Sequence, residues 1–242
     1  SPDTNYWPQN DVVQIWDIYL TPGTYVFRLD IYSGTPDLDF GLFSSNGAAY
    51  HAHRQSRVAG STSGGPGTDE VFSYTVTTAD WYGLCVWNNN GNNGYFILDV
   101  SNDIQWLGQV SHDWNNPANW LGNIIPDATM DVIIAPGYTY HPKVETSANG
   151  HCNSVRIEAG ARLEVTAYDL FVETDVYVYG QLDISQNNGD LMVYDDIYWY
   201  PGSTGSMGFG AEILVHNNWW FYNTANVQFN DGRVRFIGST AS

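Results

Sequence analysis

The sequence predicts an all-β protein in which an antiparallel, jelly-roll-like β-sandwich precedes a short parallel β-solenoid. Three observations support this prediction. Aromatic residues, which favour strands, make up 15% of the 242 residues. Short apolar stretches separated by turn residues fill the first hundred positions, as in a sandwich of antiparallel strands. A repeat of about 21 residues, a length that suits one solenoid turn, fills most of the C-terminal part.

Six strands are predicted in the N-terminal part, with Gly, Pro, Asn and Asp residues between them. The segment 56–69 is rich in Ser and Gly, so we expect a flexible loop there. The predicted strands are 12–20, 23–32, 38–44, 71–77, 81–87 and 95–100. We therefore assign residues 1–101 to the sandwich.

These strands resemble the pre-peptidase C-terminal domain, a β-sandwich module that is appended to secreted bacterial proteins. The resemblance covers residues 11–101, and one departure is Ala79-Asp80-Trp81, where the family usually has a glycine turn. The matching segments, in order, are Tyr25-Val-Phe-Arg-Leu, Pro36-Asp-Leu-Asp-Phe-Gly-Leu-Phe, Phe72-Ser-Tyr-Thr-Val, Ala79-Asp-Trp-Tyr-Gly-Leu-Cys-Val and Tyr95-Phe-Ile-Leu-Asp-Val. The resemblance implies an exported protein.

Four similar apolar segments mark the repeat in the C-terminal part. They begin at Leu170, Leu191, Ile213 and Val234, at intervals of 21, 22 and 21 residues. An aromatic-rich strand follows each of the first three. If each repeat is one turn of a solenoid, equivalent side chains of successive turns stack in columns. We assign residues 102–242 to this solenoid and to the segment that begins it.

Alternate residues of a strand face opposite sides, so the repeat predicts which side chains point inward. The first inward column is Val172, Val193, Val215 and Phe236. Two more are Val176, Ile197 and Trp219, and Val178, Trp199 and Phe221. We interpret the polar residues that recur once per turn as residues whose side chains cap a bend; these are Asp175, Asp196 and Asn218.

The segment before the repeat is similar to the opening segment of secreted right-handed parallel β-helix modules in Bacteroidota-like surface proteins. The matching positions are Trp106-Leu-Gly108, Asp113-Trp114-Asn115, Asn119-Trp120, Pro126 and Asp131-Val-Ile-Ile134. This similarity implies a right-handed parallel β-helix at the cell surface. Because the sequence stops soon after Val234, we expect the natural protein to continue or a partner to cover that end.

Charge and cysteine content limit the classes of function. The net charge is −18, and Lys143 is the only lysine. Such a field repels nucleic-acid backbones and anionic lipid surfaces, and there is no apolar run of 18 residues. We therefore expect no nucleic-acid partner and no membrane insertion. Cys85 and Cys152 lie in apolar contexts, which favours buried thiols over a disulfide.

The face opposite to the inward columns carries the best candidate binding site, which we call the aromatic ladder. Its first column is Tyr177, Tyr198 and Trp220, and its second column is Tyr179, Tyr200 and Tyr222. A spacing of about 4.8 Å between turns would form an amphipathic strip of these rings. Sugar rings or a protein partner could pack on this strip. The alternative is that the rings only stabilise the surface of the sheet.

Two pairs of residues are candidate metal ligands. Asp37 and Asp39 lie two apart after a turn, and oxygen ligands of this kind suit calcium. The alternative, which we favour, is that they are structural acids. His51 and His53 could bind zinc if a third ligand approached, but a solvated pair in a loop is the favoured interpretation. No other cofactor is expected.

A polysaccharide lyase or glycoside hydrolase is the enzyme alternative, because such enzymes also occur on β-helices. A lyase needs a basic group, and the candidates are Arg156, Arg162, Arg233 and Arg235. A glycoside hydrolase needs two carboxylates about 5 to 10 Å apart on one face. The candidates are Asp183, Asp190, Asp195 and Asp196. The sequence contains no recognisable catalytic motif, so we expect no enzymatic activity.

Together these features predict a secreted or surface-displayed module that is structural or adhesive. The expected partners are copies of the same chain, as in a filament or surface layer, or other surface proteins. Contact would occur through the aromatic ladder and the exposed end of the solenoid. A carbohydrate-binding module is the first alternative, with an extracellular glycan as partner, and the enzyme is the second.

Overall fold

The computed structural model describes residues 13–44, 57–62, 64–146, 148–184 and 189–238, and the backbone of residues 3–7. The chain divides into two compact units, Ser1–Asn102 and Asp103–Ser242. Regular structure in these described ranges is β-strand, apart from short 3-10 turns at Pro117–Asn119 and Leu121–Asn123. The prediction of an all-β protein is confirmed.

The first unit is a sandwich of two four-stranded antiparallel sheets. Its strands are β1 (Asp3–Trp7), β2 (Val13–Leu20), β3 (Gly23–Gly34), β4 (Leu38–Ser44), β5 (Arg57–Ser61), β6 (Glu70–Val76), β7 (Asp80–Asn88) and β8 (Gly94–Ser101). The strand orders are β1-β8-β3-β6 and β2-β7-β4-β5. Buried side chains from both sheets form one core, in which Phe72 lies 4.7 Å from Phe27 and 4.6 Å from Phe40 between ring centres.

Two of these strands were not predicted from the sequence. One is β1, and the other is β5, which lies in the segment expected to be a flexible loop. For residues 57–61 that expectation was wrong, because β5 pairs with β4, with Gly60 opposite Gly41. A Cβ atom on Gly60 would lie 2.8 Å from the Phe40 carbonyl oxygen. Small residues there permit a close strand pairing rather than a flexible loop.

The second unit is a parallel solenoid of about five turns. Its strands are β9 (Asp103–Gln105), β10 (Asp131–Ile134), β11 (Lys143–Val144), β12 (Gly150–Cys152), β13 (Ser154–Ile157), β14 (Arg162–Val165), β15 (Leu170–Val172), β16 (Val176–Val178), β17 (Gln181–Ile184), β18 (Leu191–Val193), β19 (Ile197–Trp199), β20 (Thr204–Met207), β21 (Glu212–Val215), β22 (Trp219–Phe221), β23 (Asn226–Gln228) and β24 (Arg233–Phe236).

These strands form three parallel sheets along the solenoid. The first sheet has the order β22-β19-β16-β13-β10-β9, the second β11-β14-β17-β20-β23 and the third β12-β15-β18-β21-β24. In the third sheet Leu170 pairs with Leu191, Leu191 with Ile213, and Ile213 with Val234. Residues that are one sequence repeat apart are therefore paired in successive turns of the solenoid.

The inward columns are confirmed except in the last described turn. Val172, Val193 and Val215 of the first column are fully buried. The members of the other two columns up to β19 are also fully buried; these are Val176, Ile197, Val178 and Trp199. Phe236 and Phe221, however, are 61% and 51% exposed, and Trp219 is only half-buried. The prediction that these three residues are core was wrong, because β22, β23 and β24 each pair with the preceding turn only, and no described strand lies on their other side.

Three tryptophans close the other end of the solenoid. Trp106, Trp114 and Trp120 are fully buried, and the Trp120 ring lies edge-on to both others at 4.9 and 4.8 Å. The Trp106 indole N–H donates to the Tyr140 carbonyl at 2.7 Å. Gly108 has φ +49° and leaves no room for a Cβ atom beside that carbonyl. The Trp-x-Gly and Asn-Trp motifs are thus explained by packing.

The buried amide of Asn119 organises the loop that carries these tryptophans. Its side-chain oxygen accepts hydrogen bonds from the backbone N–H groups of Val110 and Ser111 at 3.1 and 3.0 Å. Its side-chain nitrogen donates to the Ser111 hydroxyl and the Asp113 carbonyl at 3.0 and 2.9 Å. All four hydrogen-bonding positions of the amide are therefore used inside the protein.

Cys85 and Cys152 are both buried thiols, as the apolar contexts predicted. Burial raises the pKa of the Cys152 thiol far above its ordinary value, and nearby Asp131 and Glu173 add to this. The described residues contain no helix that is long and apolar enough to cross a membrane.

Candidate functional site

The aromatic ladder lies on the outer face of the first solenoid sheet. Strands β16 and β19 have three residues each. The first and last residues are buried, and the central tyrosine, Tyr177 or Tyr198, points outward. Register pairs Tyr177 with Tyr198 and Tyr198 with Trp220. Tyr179, Tyr200 and Tyr222 directly follow these strands. The period-2 alternation of a strand and the repeat of the solenoid therefore position all six rings.

The rings of each column stack face to face. In the first column, Tyr198 lies 5.2 Å from Tyr177 and 6.4 Å from Trp220 between ring centres, with planes within 10° of parallel. In the second column, Tyr200 lies 4.0 Å from Tyr179 and 5.2 Å from Tyr222. The six residues predicted as a binding strip are thus brought together as two continuous stacks.

A row of carboxylates supports the first column. The Tyr177 hydroxyl donates to Asp175 at 2.8 Å, and the Tyr198 hydroxyl donates to Asp196 at 2.9 Å. The Trp220 indole N–H donates to the same Asp196 oxygen at 3.1 Å. Each ring of this column is therefore fixed at its polar atom as well as through its faces.

The same acids cap the bend before the sheet. Asp175 accepts a hydrogen bond from the Asp196 backbone N–H at 3.1 Å, and Asp196 accepts one from the Asn218 N–H at 2.7 Å. The Asn218 side chain also donates to Asp196 at 3.0 Å. The capping role is confirmed for Asp175 and Asp196, since each acid bonds the turn stacked above it. For Asn218 it stays a prediction.

These hydrogen bonds change the acidity of the groups they join. Burial alone would raise the pKa of Asp196, but the hydrogen bonds from Trp220, Asn218 and Tyr198 outweigh it and lower that pKa below its ordinary value. The hydrogen bond to Asp196 raises the pKa of Tyr198 to about 12. A hydrogen bond with Tyr179 raises the pKa of Tyr200 to about 12. Near neutral pH Asp196 is therefore ionised, and the Tyr198 and Tyr200 phenols are neutral.

Stacking determines which surfaces the ladder can offer to a partner. A ring between two stacked neighbours has both faces covered and presents only an edge. Arg156 extends the second column, because its guanidinium carbon lies 5.2 Å from the Tyr179 ring centre. Trp220 and Tyr222, which end the columns, are 45% and 41% exposed. A sugar ring can stack on these exposed terminal rings, whereas a protein surface can also pack against the edges.

Sequence reasoning did not place Arg156 in the ladder. Its Nε atom also lies 2.7 Å from Glu158, so it forms an ion pair while it stacks on Tyr179. Register places Arg156 on the outer face one turn before Tyr177, but its contact with Tyr179 in the other column could be seen only in the structure.

The structure brings three carboxylates together beside the ladder. Asp175, Asp195 and Asp196 each offer an oxygen within 4.8 Å of the others, and this is the one such group of three among the described residues. The Asp175 and Asp196 oxygens receive the hydrogen bonds described above. Asp195 accepts a hydrogen bond from the Asn217 side chain at 2.9 Å. This group is explained by capping and ring support.

The other predicted metal ligands lie elsewhere. Asp39 is buried and accepts hydrogen bonds from the Trp87 indole at 3.2 Å and the Asn89 amide at 2.7 Å. Asp37 is half-buried, and its carbonyl accepts from the Asn89 N–H at 2.8 Å. These contacts suit structural acids, and calcium at this pair stays a prediction. His51 and His53 lie outside the described residues.

The four arginines considered as bases are all paired with carboxylates. Arg156 pairs with Glu158, and Arg162 contacts Glu164 at 2.6 Å and Asp183 at 2.8 Å. Arg233 and Arg235 both contact Glu212. The four carboxylates considered for a glycoside hydrolase also have structural surroundings. Asp183 is buried and paired with Arg162. Burial raises the pKa of Asp190. Asp195 and Asp196 lie beside the ladder.

Parts of this chain are similar to known proteins. A family model described as a domain of unknown function, DUF8693, matches residues 105–210, which include the tryptophan-closed end and the ladder as far as Tyr200. The pre-peptidase C-terminal domain of a collagenase from Bacillus anthracis is a similar solved structure. It is 12% identical, covers 42% of this chain and 88% of its own, and has a TM-score of 0.34. No curated protein matches the chain.

Proposed function

We propose that this chain is a non-catalytic structural module that assembles with a protein neighbour, either a copy of itself or another surface protein, through the aromatic ladder. The observation that carries this proposal is the double stack of six rings on an outer sheet face. Tyr, Trp and Arg are the residue types that anchor protein interfaces most often. Here Arg156 joins five tyrosines and a tryptophan in one surface.

The stacked arrangement makes the ladder a rigid surface, which favours binding to a protein partner. Rings held by their neighbours and by Asp175 and Asp196 have little side-chain freedom left to lose. Contact with a preorganised surface therefore costs less conformational entropy than contact with free side chains. The remaining exposed edges combine apolar carbon with phenol hydroxyl groups, which suits a neighbour that offers both apolar contact and hydrogen bonds.

The last described turn provides a second contact surface. Phe221 and Phe236 are more than half exposed, although the equivalent residues one turn below, Trp199 and Val215, are buried. Backbone groups at such a sheet edge can pair with a further strand. A neighbouring β-structure that stacks there would restore the burial found in the other turns.

Charge would control this assembly. At a net charge of −18 separate chains repel one another, so contact is expected only when salt or divalent cations reduce the repulsion. A surface layer or filament outside the cell offers such conditions. The resemblance of both parts of the sequence to modules of secreted proteins supports this location.

Sedimentation velocity of the 242-residue chain over a range of concentrations, with and without added calcium, tests the proposal. We expect larger species at high concentration, and we expect them to disappear in the double variant Trp220→Ala with Tyr222→Ser. Both residues are exposed, so the variant should fold. Tyr32→Ser is a matched control, because Tyr32 is an exposed tyrosine in the other unit. A chain that stays monomeric throughout, or an assembly that survives the double variant, would contradict the proposal.

A carbohydrate-binding module is the second candidate, and the free outer face of Trp220 favours it. This ring ends its column and is 45% exposed, so a sugar could stack on it. In that case Trp220→Ala would abolish retention on an immobilised polysaccharide, whereas Tyr177→Phe would leave it unchanged.

A further inference from the structure

The turns between the first and second solenoid sheets differ in length. Four residues connect β13 to β14, four connect β19 to β20, and four connect β22 to β23. Only two, Tyr179 and Gly180, connect β16 to β17. A short turn between two longer ones leaves a recess at this corner, because the flanking turns project beyond it.

This recess has a volume of about 510 Å³, within the range of sites that hold small organic ligands. Its floor is the short turn together with Gln181. One wall is Ala159, Gly160, Ala161 and Arg162, and the other is Pro201, Gly202 and Thr204. Exposed Ala159 and Pro201 therefore offer apolar carbon on the two sides, and polar side chains lie at one end.

The polar end is fixed by one buried carboxylate. Asp183, which is 6% exposed, accepts hydrogen bonds from Arg162 Nε at 2.8 Å, Gln181 Nε2 at 2.7 Å and the Ser206 hydroxyl at 2.6 Å. An ionised carboxylate only accepts, so the nitrogen of the Gln181 amide must face Asp183. The Gln181 oxygen is then held in one orientation as an acceptor, beside the hydroxyl group of Thr204.

Local charge argues against an anionic ligand. The Arg162 guanidinium lies within 2.6 Å of Glu164 and 2.8 Å of Asp183, and Lys143 also contacts Glu164 at 3.2 Å, so both nearby cations are already paired with carboxylates. The whole chain is strongly negative. A phosphate or uronate would be repelled here, whereas a neutral molecule rich in hydroxyl groups can use both the donors and the acceptors.

The corner recess continues into a second one on the second sheet. Gln181 and Thr204 line both, and the second recess, of about 220 Å³, adds Asp183, Ser206, Asn226 and Gln228. Apart from the Asp183 carboxylate, these side chains are neutral amides and hydroxyl groups. On the other side, Gly160, Ala161 and Arg162 also line a recess of about 200 Å³ beside Tyr138 and His141. A ligand of several linked units can therefore extend along the solenoid across adjoining subsites.

We propose that this groove, centred on Tyr179, Gly180 and Gln181, binds a neutral oligosaccharide. The Ala159 methyl group and the Pro201 ring on the two walls contact the C–H faces of one sugar ring, and Gln181, Thr204 and Arg162 bond its hydroxyl groups. The next sugar unit lies over the amides and hydroxyl groups of the second sheet, beside the Asp183 carboxylate. The groove shares Tyr179 with the aromatic ladder, but it uses neither Trp220 nor Tyr222, the exposed ring ends on which the assembly test depends.

NMR titration of the ¹⁵N-labelled 242-residue chain with cellohexaose, mannohexaose and laminarihexaose tests this site. Hexagalacturonate is the anionic comparison. We expect saturable shifts from at least one neutral hexaose at the amides of residues 159–162, 179–181 and 202–206. Thr204→Trp fills the recess from an exposed position, and Gln181→Leu removes the fixed acceptor. Each should weaken binding at least tenfold, as expected when a polar ligand loses its partner or its space.

Trp220→Ala is the control that separates this site from the ladder, and it should leave the affinity unchanged. Thermal melts of all three variants show whether each one folds. The proposal is overturned if none of the three neutral hexaoses produces saturable shifts at millimolar concentration. It is also overturned if hexagalacturonate binds more tightly, or if Thr204→Trp binds as tightly as the natural sequence. Binding lost only in Trp220→Ala would move the glycan site to the ladder.

Discussion

Replacing Asp196 by asparagine should destabilise the solenoid, because this carboxylate joins two successive turns. Four hydrogen bonds reach it: two from Asn218 on one oxygen, and those of Tyr198 and Trp220 on the other. Asparagine keeps one acceptor oxygen but replaces the second with a nitrogen that cannot accept. The bonds made to one of the two oxygens are therefore lost.

The magnitude follows from the exposure of the two rings. A hydrogen bond to a charged group contributes about 1.5 to 3 kcal/mol to stability. Trp220 is 45% exposed, so water can replace its bond, whereas Tyr198 is more enclosed. We expect Asp196→Asn to lower the free energy of unfolding by about 2 to 3 kcal/mol. Asp195→Asn is the matched control, because its one described side-chain bond is with exposed Asn217, and its cost should stay within about 0.5 kcal/mol.

The loss should also depend on pH. The folded-state pKa of Asp196 is lowered, so the ionised carboxylate stabilises the fold fully above its unfolded-state pKa of about 3.9. This contribution disappears as the pH falls through the lower folded-state value. Urea unfolding followed by circular dichroism, near neutral pH and at successive acid values, should show the gap between the two proteins narrowing in acid. A gap that is constant with pH, or equal losses in both variants, would refute the reasoning.

Three further predictions concern the interior. Asn119→Ala should lower the free energy of unfolding by about 3 kcal/mol, because all four hydrogen bonds of a fully buried amide are lost, whereas Asn115→Ala should cost far less in the same urea titration. Gly180→Ala should lower the thermal midpoint, because a Cβ atom would collide with the Ala161 and Glu158 carbonyl oxygens. Gly65→Ala, with open space around it, should not change the midpoint. Since burial raises the pKa of Cys152, this thiol should resist alkylation in the folded protein and react on unfolding, as mass spectrometry of the labelled peptide would show.

The sequence by itself determined six of the eight sandwich strands, the repeat of the solenoid and much of the ladder. A strand places alternate side chains on opposite faces, and a solenoid places equivalent residues above one another, so the interval from Leu170 to Leu191 was enough to predict the stacking of Tyr177 on Tyr198. Both rules are local and periodic. They need no knowledge of which distant segments meet, and for that reason they could be applied to the sequence alone.

The tertiary structure decided everything that depends on the space between turns. The repeat predicted that Phe236 is a core residue. Burial of this side chain requires a further solenoid turn, and no described strand covers it. Ring orientation also came only from the structure: the faces of Tyr198 and Tyr200 are used within the columns, so edges and column ends are what remains exposed. The corner groove exists because one short turn lies between two longer ones, and turn length acquires meaning only when turns are stacked in space.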